Sequence, residues 1–187
     1  MIESLPAPVV RQSRLISNQD RVVELLATRG FSDVGLREMA ASLDVTAAAF
    51  YHHFASKDEY LVFLLEAHYD ACLQAITGAG RPLGCITQII EKLIELQDHR
   101  KWYFKLAVRE ADRLSQVGAD NEVLALRAQI EQRLFEVLTV DSGATLPANM
   151  LLTLLEHLLV WTCAGQTSKV ARKQMINTLM VAAAQSV

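Results

Sequence analysis

GLREMAASLDVTAAAFYHHFASKDEYL, residues Gly35 to Leu61, reads as helix, tight turn, helix and the capped start of a third helix. Leu36, Met39, Ala40 and Leu43 have the one-face spacing of a short amphipathic helix. Asp44 and Val45 supply a polar turn residue and a buried plug. Thr46 suits the cap of the next helix, accepting from backbone N–H groups two or three residues on. That helix, Ala47 to Phe54, is alanine-rich and ends in Tyr51-His52-His53-Phe54. Ser56-Lys57-Asp58-Glu59 then has the capping-box pattern, a serine with an acid three residues later.

Two short helices around a tight turn place the second helix in the DNA major groove when they bind a duplex. Residues 15–65 resemble the N-terminal DNA-binding domain of TetR-type transcriptional regulators. The resemblance rests on Gly30-Phe31, Met39-Ala40, Val45-Thr46, Phe50-Tyr51-His52-His53-Phe54, and Lys57 followed by Leu61. The remaining two thirds match that family only in length and helical character. Departures are Asp44 at the turn glycine, Ala48 at a glycine of the second helix, and Gly35 where a capping threonine is usual. Asn18 and Gln19 stand where the family has aliphatic residues. Asp44 tolerates a left-handed turn conformation.

The resemblance implies roles by position. Arg37 would reach a base or phosphate, and Thr46 would cap its helix and meet phosphate. Ala47 and Ala49 occupy base-reading positions, but alanine reads only shape or thymine methyl groups. Tyr51 would donate to phosphate, and His52 would reach phosphate or a base edge. His53 packs against the domain or meets phosphate, and Lys57 supplies a phosphate charge. The implied partner is a near-palindromic double-stranded DNA operator, bound by a homodimer.

Working outward, MIESLPAPVVRQSR at residues 1–14 reads as a flexible arm with no secretory signal. Arg11 and Arg14 serve equally well as DNA contacts or as solubilising charges. Of the 187 residues, 51% are hydrophobic and 21% charged, which fits a globular chain rather than a disordered one. The net charge is −3, and Arg11 to Lys57 holds nearly equal numbers of bases and acids. This balance argues against a nonspecific electrostatic DNA binder, whereas it leaves room for a dimer with a few placed charges. Cys72, Cys85 and Cys163 make no CxxC or metal spacing and read as reduced thiols of a cytoplasmic protein. No metal or cofactor is expected.

The whole chain reads as all-α, with nine helices. A three-helix DNA-binding domain covers 15–60, and a six-helix ligand-binding and dimerisation bundle covers 61–187. The first helix runs from Ser17 or Asn18 to Arg29 and stops at Gly30. The fourth runs from Ser56 to about Thr77 and is broken by Gly78, Gly80, Pro82 and Gly84. Cys85–Gln97 and Trp102–Leu114 read as two helices joined at Asp98-His99-Arg100. Asn121–Val140, Pro147–Gly165 and Ser168–Gln185 complete the set. Met150–Ala164 is very apolar but too short for a membrane span, and Glu156-His157 interrupts it.

The late helices suggest a dimer seam through Leu155, Leu158, Met175, Leu179 and Ala183. Tyr69, Trp102, Tyr103, Arg109, His157 and Trp161 are candidate ligand-binding residues, although each also fits an ordinary core or rim position. That a small-molecule effector site exists follows from the resemblance, as does the expectation of a repressor released by its ligand. No phosphate loop, nucleophile elbow, HExxH or paired-cysteine site supports an enzyme. The alternative reading is a helical ligand-binding or interaction protein whose DNA-binding head is degenerate.

Overall fold

A computed structural model describes residues 16–78, 84–116, 122–142, 146–163 and 168–185. Among them there are nine α-helices and no strand. These are α1 (Gln19–Arg29), α2 (Leu36–Ser42), α3 (Ala47–Tyr51), α4 (Lys57–Thr77), α5 (Ile86–Arg109), α6 (Ala111–Gln116), α7 (Glu122–Ser142), α8 (Ala148–Cys163) and α9 (Lys169–Gln185). The expected arm at 1–14, with Arg11 and Arg14, lies outside the described residues, as do Gly80 and Pro82. Two compact units divide between Leu64 and Leu65, inside α4, whereas the sequence places the boundary at 60.

In the first unit α1 buries Val22, Val23, Leu26 and Ala27. It carries Asp20 in its first turn and Arg29 in its last, each matched to the helix dipole. Gly30 ends it at φ 106°, ψ 146°, a conformation that side chains oppose, and its N–H returns to the Leu26 carbonyl at 2.9 Å. The turn after α2 is a Schellman motif. Val45 N–H donates to the Ala40 carbonyl at 2.9 Å and Asp44 N–H to that of Ala41 at 3.0 Å. Asp44 takes the left-handed conformation there, φ 58°, in place of a glycine. Asn18, polar where an aliphatic residue is usual, donates from Nδ2 to the Leu43 carbonyl at 3.3 Å and so ties the start of α1 to the end of α2.

Both expected caps form. Thr46 Oγ1 accepts from Ala49 N–H at 3.1 Å, and Ser56 Oγ accepts from Glu59 N–H at 3.0 Å. The Glu59 carboxylate reaches back to Ala55 N–H, closing the box one residue before the cap. α3 is shorter than expected, but Phe54 N–H still returns to the Phe50 carbonyl at 3.1 Å. Phe50, Phe54 and Tyr60 pack with ring centroids 4.8–5.4 Å apart and join α3 to α4.

In the second unit α8 packs against α5, α7 and α9, and α9 packs against α5, α7 and α8. The two helices expected over 85–114 meet at a kink within α5, inside the expected joint at 98–100. No glycine or proline interrupts 86–109, so the polar cluster breaks the helical geometry without a loop. Arg100 takes φ −129°, ψ 32°. Its guanidinium donates to the Ala67 carbonyl at 3.3 Å and lies 4.2 Å over the Tyr103 ring. A second break falls at Glu110, and α6 follows it. No helix among the described residues is long and apolar enough to cross a membrane.

Candidate nucleic-acid interface and buried polar site

The turn and the Thr46 cap fix which side chains of α3 point outward. Ala48, Tyr51, His52 and His53 are exposed and Ala47 is half-buried. Tyr51 is 57% exposed, because Phe50 already fills the core beneath it. Ala49 is buried, a correction to its expected base-reading role: its methyl faces the core and Ala48 takes the outer position. Arg37 and Thr46 are both exposed.

Lys57 differs from expectation. Its ammonium donates to the Phe31 carbonyl and sits 4.1 Å over the Phe31 ring. The charge is held against the α1–α2 connection rather than standing free at the start of α4.

The expected ligand-site residues separate into two groups. Tyr69 and Tyr103 are buried around His68. His68 stacks on Tyr103 at 6.1 Å and meets Phe104 edge-on at 4.7 Å. Trp102 is half-buried under Lys101 and Lys105, and Arg109 is exposed, 3.9 Å from Glu110. His157 and Trp161 lie on the outer face of α8, with Trp161 63% exposed, and so do not line the cavity. The helix turns inward one residue earlier, at Glu156.

Glu156 anchors a buried polar cluster that the candidate residues include only through Tyr69. Arg127 donates from Nη1 to both Glu156 oxygens at 2.8 and 3.0 Å, and to the Tyr69 hydroxyl at 2.5 Å. Tyr69 in turn donates to Glu156 Oε1 at 2.9 Å. Glu131 stands 3.8 Å from the same guanidinium. Burial pushes the Glu156 carboxyl above its ordinary pKa, outweighing Arg127 and the Tyr69 hydrogen bond. Burial also opposes the Arg127 cation, but Tyr69 and Glu156 together hold its pKa above the usual value. The Tyr69 phenol is raised by burial and by Glu156.

Tyr69 and Glu156 line a cavity of about 10 Å³, together with His68, Cys72, Leu93, Phe104, Ile130 and Leu152. It has room for at most one water. His68 is lowered to about 3 by burial and by the cations Arg100 and Arg127, so it is neutral. Burial pushes the neighbouring Cys72 thiol up, which removes the thiolate a redox sensor requires. A wider groove of about 360 Å³ runs along the surface between α5 and α9. Its lysines are paired, Lys173 with Glu91 at 2.7 Å and Lys169 with Asp98 at 3.4 Å, as on an ordinary solvated rim.

Two expected dimer residues, Leu155 and Leu158, are buried in the monomer between α8 and its neighbours, which corrects that assignment. Met175 and Ala183 are half-buried and Leu179 is 40% exposed on α9. The exposed apolar side chains of α8 are Met150 and Trp161.

Residues 20–62 match the family model of bacterial regulatory proteins, tetR family. The HTH-type transcriptional repressor NemR of Escherichia coli K12 is 41% identical over 54 residues, 29% of this chain and 27% of NemR. The repressor KstR2 of Mycolicibacterium smegmatis is 29% identical over 111 residues, 55% of this chain and 54% of KstR2. These matches thus span about a quarter and about half of the curated relatives. A crystal structure of AibR with isovaleryl coenzyme A and operator DNA superposes with a TM-score of 0.64 at 14% identity, covering 93% of this chain and all of AibR's. The helix-turn-helix of residues 20–62 is thus similar in sequence to that of tetR-family regulators, and the chain shares the fold of AibR over 93% of its length.

Proposed function

We propose that the protein is a ligand-responsive, sequence-specific DNA-binding repressor that acts in the cytoplasm. The observation that carries this reading is α3, capped by Thr46 behind a Schellman turn, with Tyr51, His52 and His53 directed outward. NemR and KstR2 are named as repressors, and AibR's crystal contains both an acyl coenzyme A and operator DNA. In this chain α3 enters the major groove, Arg37, Thr46 and Tyr51 position it on phosphates, and His52 reads a base edge or phosphate. Ala47 and Ala48 read shape or thymine methyls. Lys57 braces the domain. A ligand bound in the second unit works by favouring one position of α4 over another, which requires unequal affinity for the two states.

The test is selection from a random duplex DNA library, followed by affinity against salt on the selected sites. The expected result is an enriched near-palindrome, with log affinity falling linearly with log salt. Tyr51→Phe should weaken binding to every sequence alike, as loss of a phosphate contact does. With no enriched site, the DNA reading fails and a helical ligand-binding protein with a degenerate head remains.

The same reading implies a homodimer, since paired helix-turn-helix units read two half-sites about one DNA turn apart. The faces assigned to it are the exposed sides of α8 and α9, through Met150, His157, Trp161, Met175, Leu179 and Ala183. Trp161→Glu should shift sedimentation from dimer to monomer at micromolar protein while leaving far-ultraviolet circular dichroism unchanged. A Trp161→Glu protein that sediments as the wild type places the interface elsewhere.

A further inference from the structure

The polar cluster of the second unit has features that a purely structural core does not require. Tyr69, Arg127 and Glu156 occupy positions of apolar stripes, among Leu65, Cys72 and Ile76 on α4, Val123, Ile130 and Leu134 on α7, and Leu152 and Leu159 on α8. A hydrophobic trio there would pack as well, because burying an ion pair sacrifices hydration that its mutual attraction only partly returns. Tyr69 and Glu156, both hydrogen-bonded to Arg127, line a hole whose remaining walls are mostly leucine, isoleucine and phenylalanine. Polar groups converging within an apolar enclosure are the usual make-up of a small-molecule site.

The guanidinium sets the chemistry. Arg127 places Nη1 within hydrogen-bond distance of both oxygens of one carboxylate, a charge-assisted contact suited to a carboxyl group, and Tyr69 adds an O–H beside it. Glu156 fills that place with the chain's own carboxylate. We propose that the effector is an apolar molecule carrying a carboxylate, which takes the place of Glu156 on Arg127 and Tyr69 while its hydrocarbon body parts the leucine-rich walls. This rests on the reading of the second unit as the effector domain and specifies the class of ligand.

The charge balance yields a signature. Arg127 already serves Glu156 and the partly exposed Glu131, so a further buried carboxylate adds a negative charge that no second cation of the cluster offsets. The groups acting on Glu156 are Arg127 and Glu131 from α7, Tyr69 from α4 and His157 on its own helix, while α5 contributes Leu93 and Phe104 to the same cavity. His68 stays neutral and Arg127 charged, and the displaced Glu156 carboxylate takes one proton from water. Binding of the carboxylate is therefore coupled to uptake of one proton. A ligand of this size also requires a more open form of the cavity than the one seen, so binding draws the population toward that form.

The experiment is calorimetric titration of the full-length protein with octanoate and with octan-1-ol at pH 6, 7 and 8. Octanoate is expected to bind with uptake of about one proton and to weaken by up to about tenfold per pH unit. Octan-1-ol is expected to bind more weakly and independently of pH. Glu156→Gln should make octanoate binding independent of pH and tighter at pH 8. Arg127→Met should abolish the preference for the acid over the alcohol. Thermal melts of each variant establish folding, and the wild-type pH dependence tests the proposal without any variant. Equal affinity for acid and alcohol, no proton uptake, or no binding of either probe overturns it. DNA binding is measured separately without ligand, so octanoate binding in a protein that selects no DNA site would sink the repressor reading and leave this one standing.

Discussion

Arg127→Met should destabilise the second unit by about 3–5 kcal/mol at neutral pH, because Glu156 is left buried without its partner and must either stay charged or take up a proton there. Glu156 loses both guanidinium hydrogen bonds and keeps only Tyr69. The double variant Arg127→Met/Glu156→Leu should recover most of that loss, since it removes both charges and closes the cavity with apolar side chains. Equilibrium denaturation of the two single variants and the double gives the coupling between them directly. An additive cycle would mean that the pair is solvated and that the geometry described here does not govern its energy. The exposed pair Lys92–Glu95, 2.8 Å apart, is the control, and Lys92→Ala should leave stability unchanged within error.

Local signals in the first unit made its structure legible, because each turn there is set by residues within a few positions. Thr46, Ser56 and Glu59 form the caps that their spacing announces, and Gly30 and Asp44 take the backbone conformations that their residue types permit. Ala49 was misplaced because an alanine-rich helix has no polar face to set its rotation. Only Phe50, packed against Phe54 and Tyr60, fixes which alanine faces inward. The contact of Lys57 with the Phe31 carbonyl was not legible, because that partner lies far off in sequence and no side-chain pattern marks it.

In the second unit long-range pairing decides more. The break at Arg100 falls inside the polar cluster 98–100 that reads as a joint, but its guanidinium's contact with the Ala67 carbonyl of another helix was not legible locally. On α8, His157 and Trp161 drew attention as an aromatic pair one turn apart, yet they share the outer face. The better signal was Glu156, three residues before Leu159 and four after Leu152 on the buried stripe. Arg127 shows the same signature, four residues after Val123 and three before Ile130. A charge at an apolar-stripe position, met by an opposite charge on a second stripe, was visible in the sequence. Which two would meet was not, because that depends on how α7 packs against α8.

The second large effect concerns His68. It lies wholly buried in the α4 segment of the second unit, between the cations Arg100 and Arg127, with Tyr103 and Phe104 against its ring and Cys72 Sγ 3.8 Å away. Its pKa falls to about 3 in the fold against 6.5 when exposed. Between those values the unfolded chain binds the proton that the folded chain refuses. Stability therefore falls as pH drops below 6.5, by about 1.4 kcal/mol per pH unit from this residue alone. Glu156 acts in the opposite direction. Its raised pKa stabilises the fold at low pH and withdraws that support as pH rises through the folded value. The wild-type curve sums both effects, so the difference from His68→Gln isolates the histidine. Glutamine does not titrate, and its amide keeps a polar group beside Cys72. The variant should be less stable than the wild type at pH 7, and the gap should narrow by about 2–3 kcal/mol at pH 4.5 in equilibrium urea unfolding. A gap that stays constant across that range would show that His68 titrates alike in both states, as it would if the space between Arg100 and Arg127 were open to water.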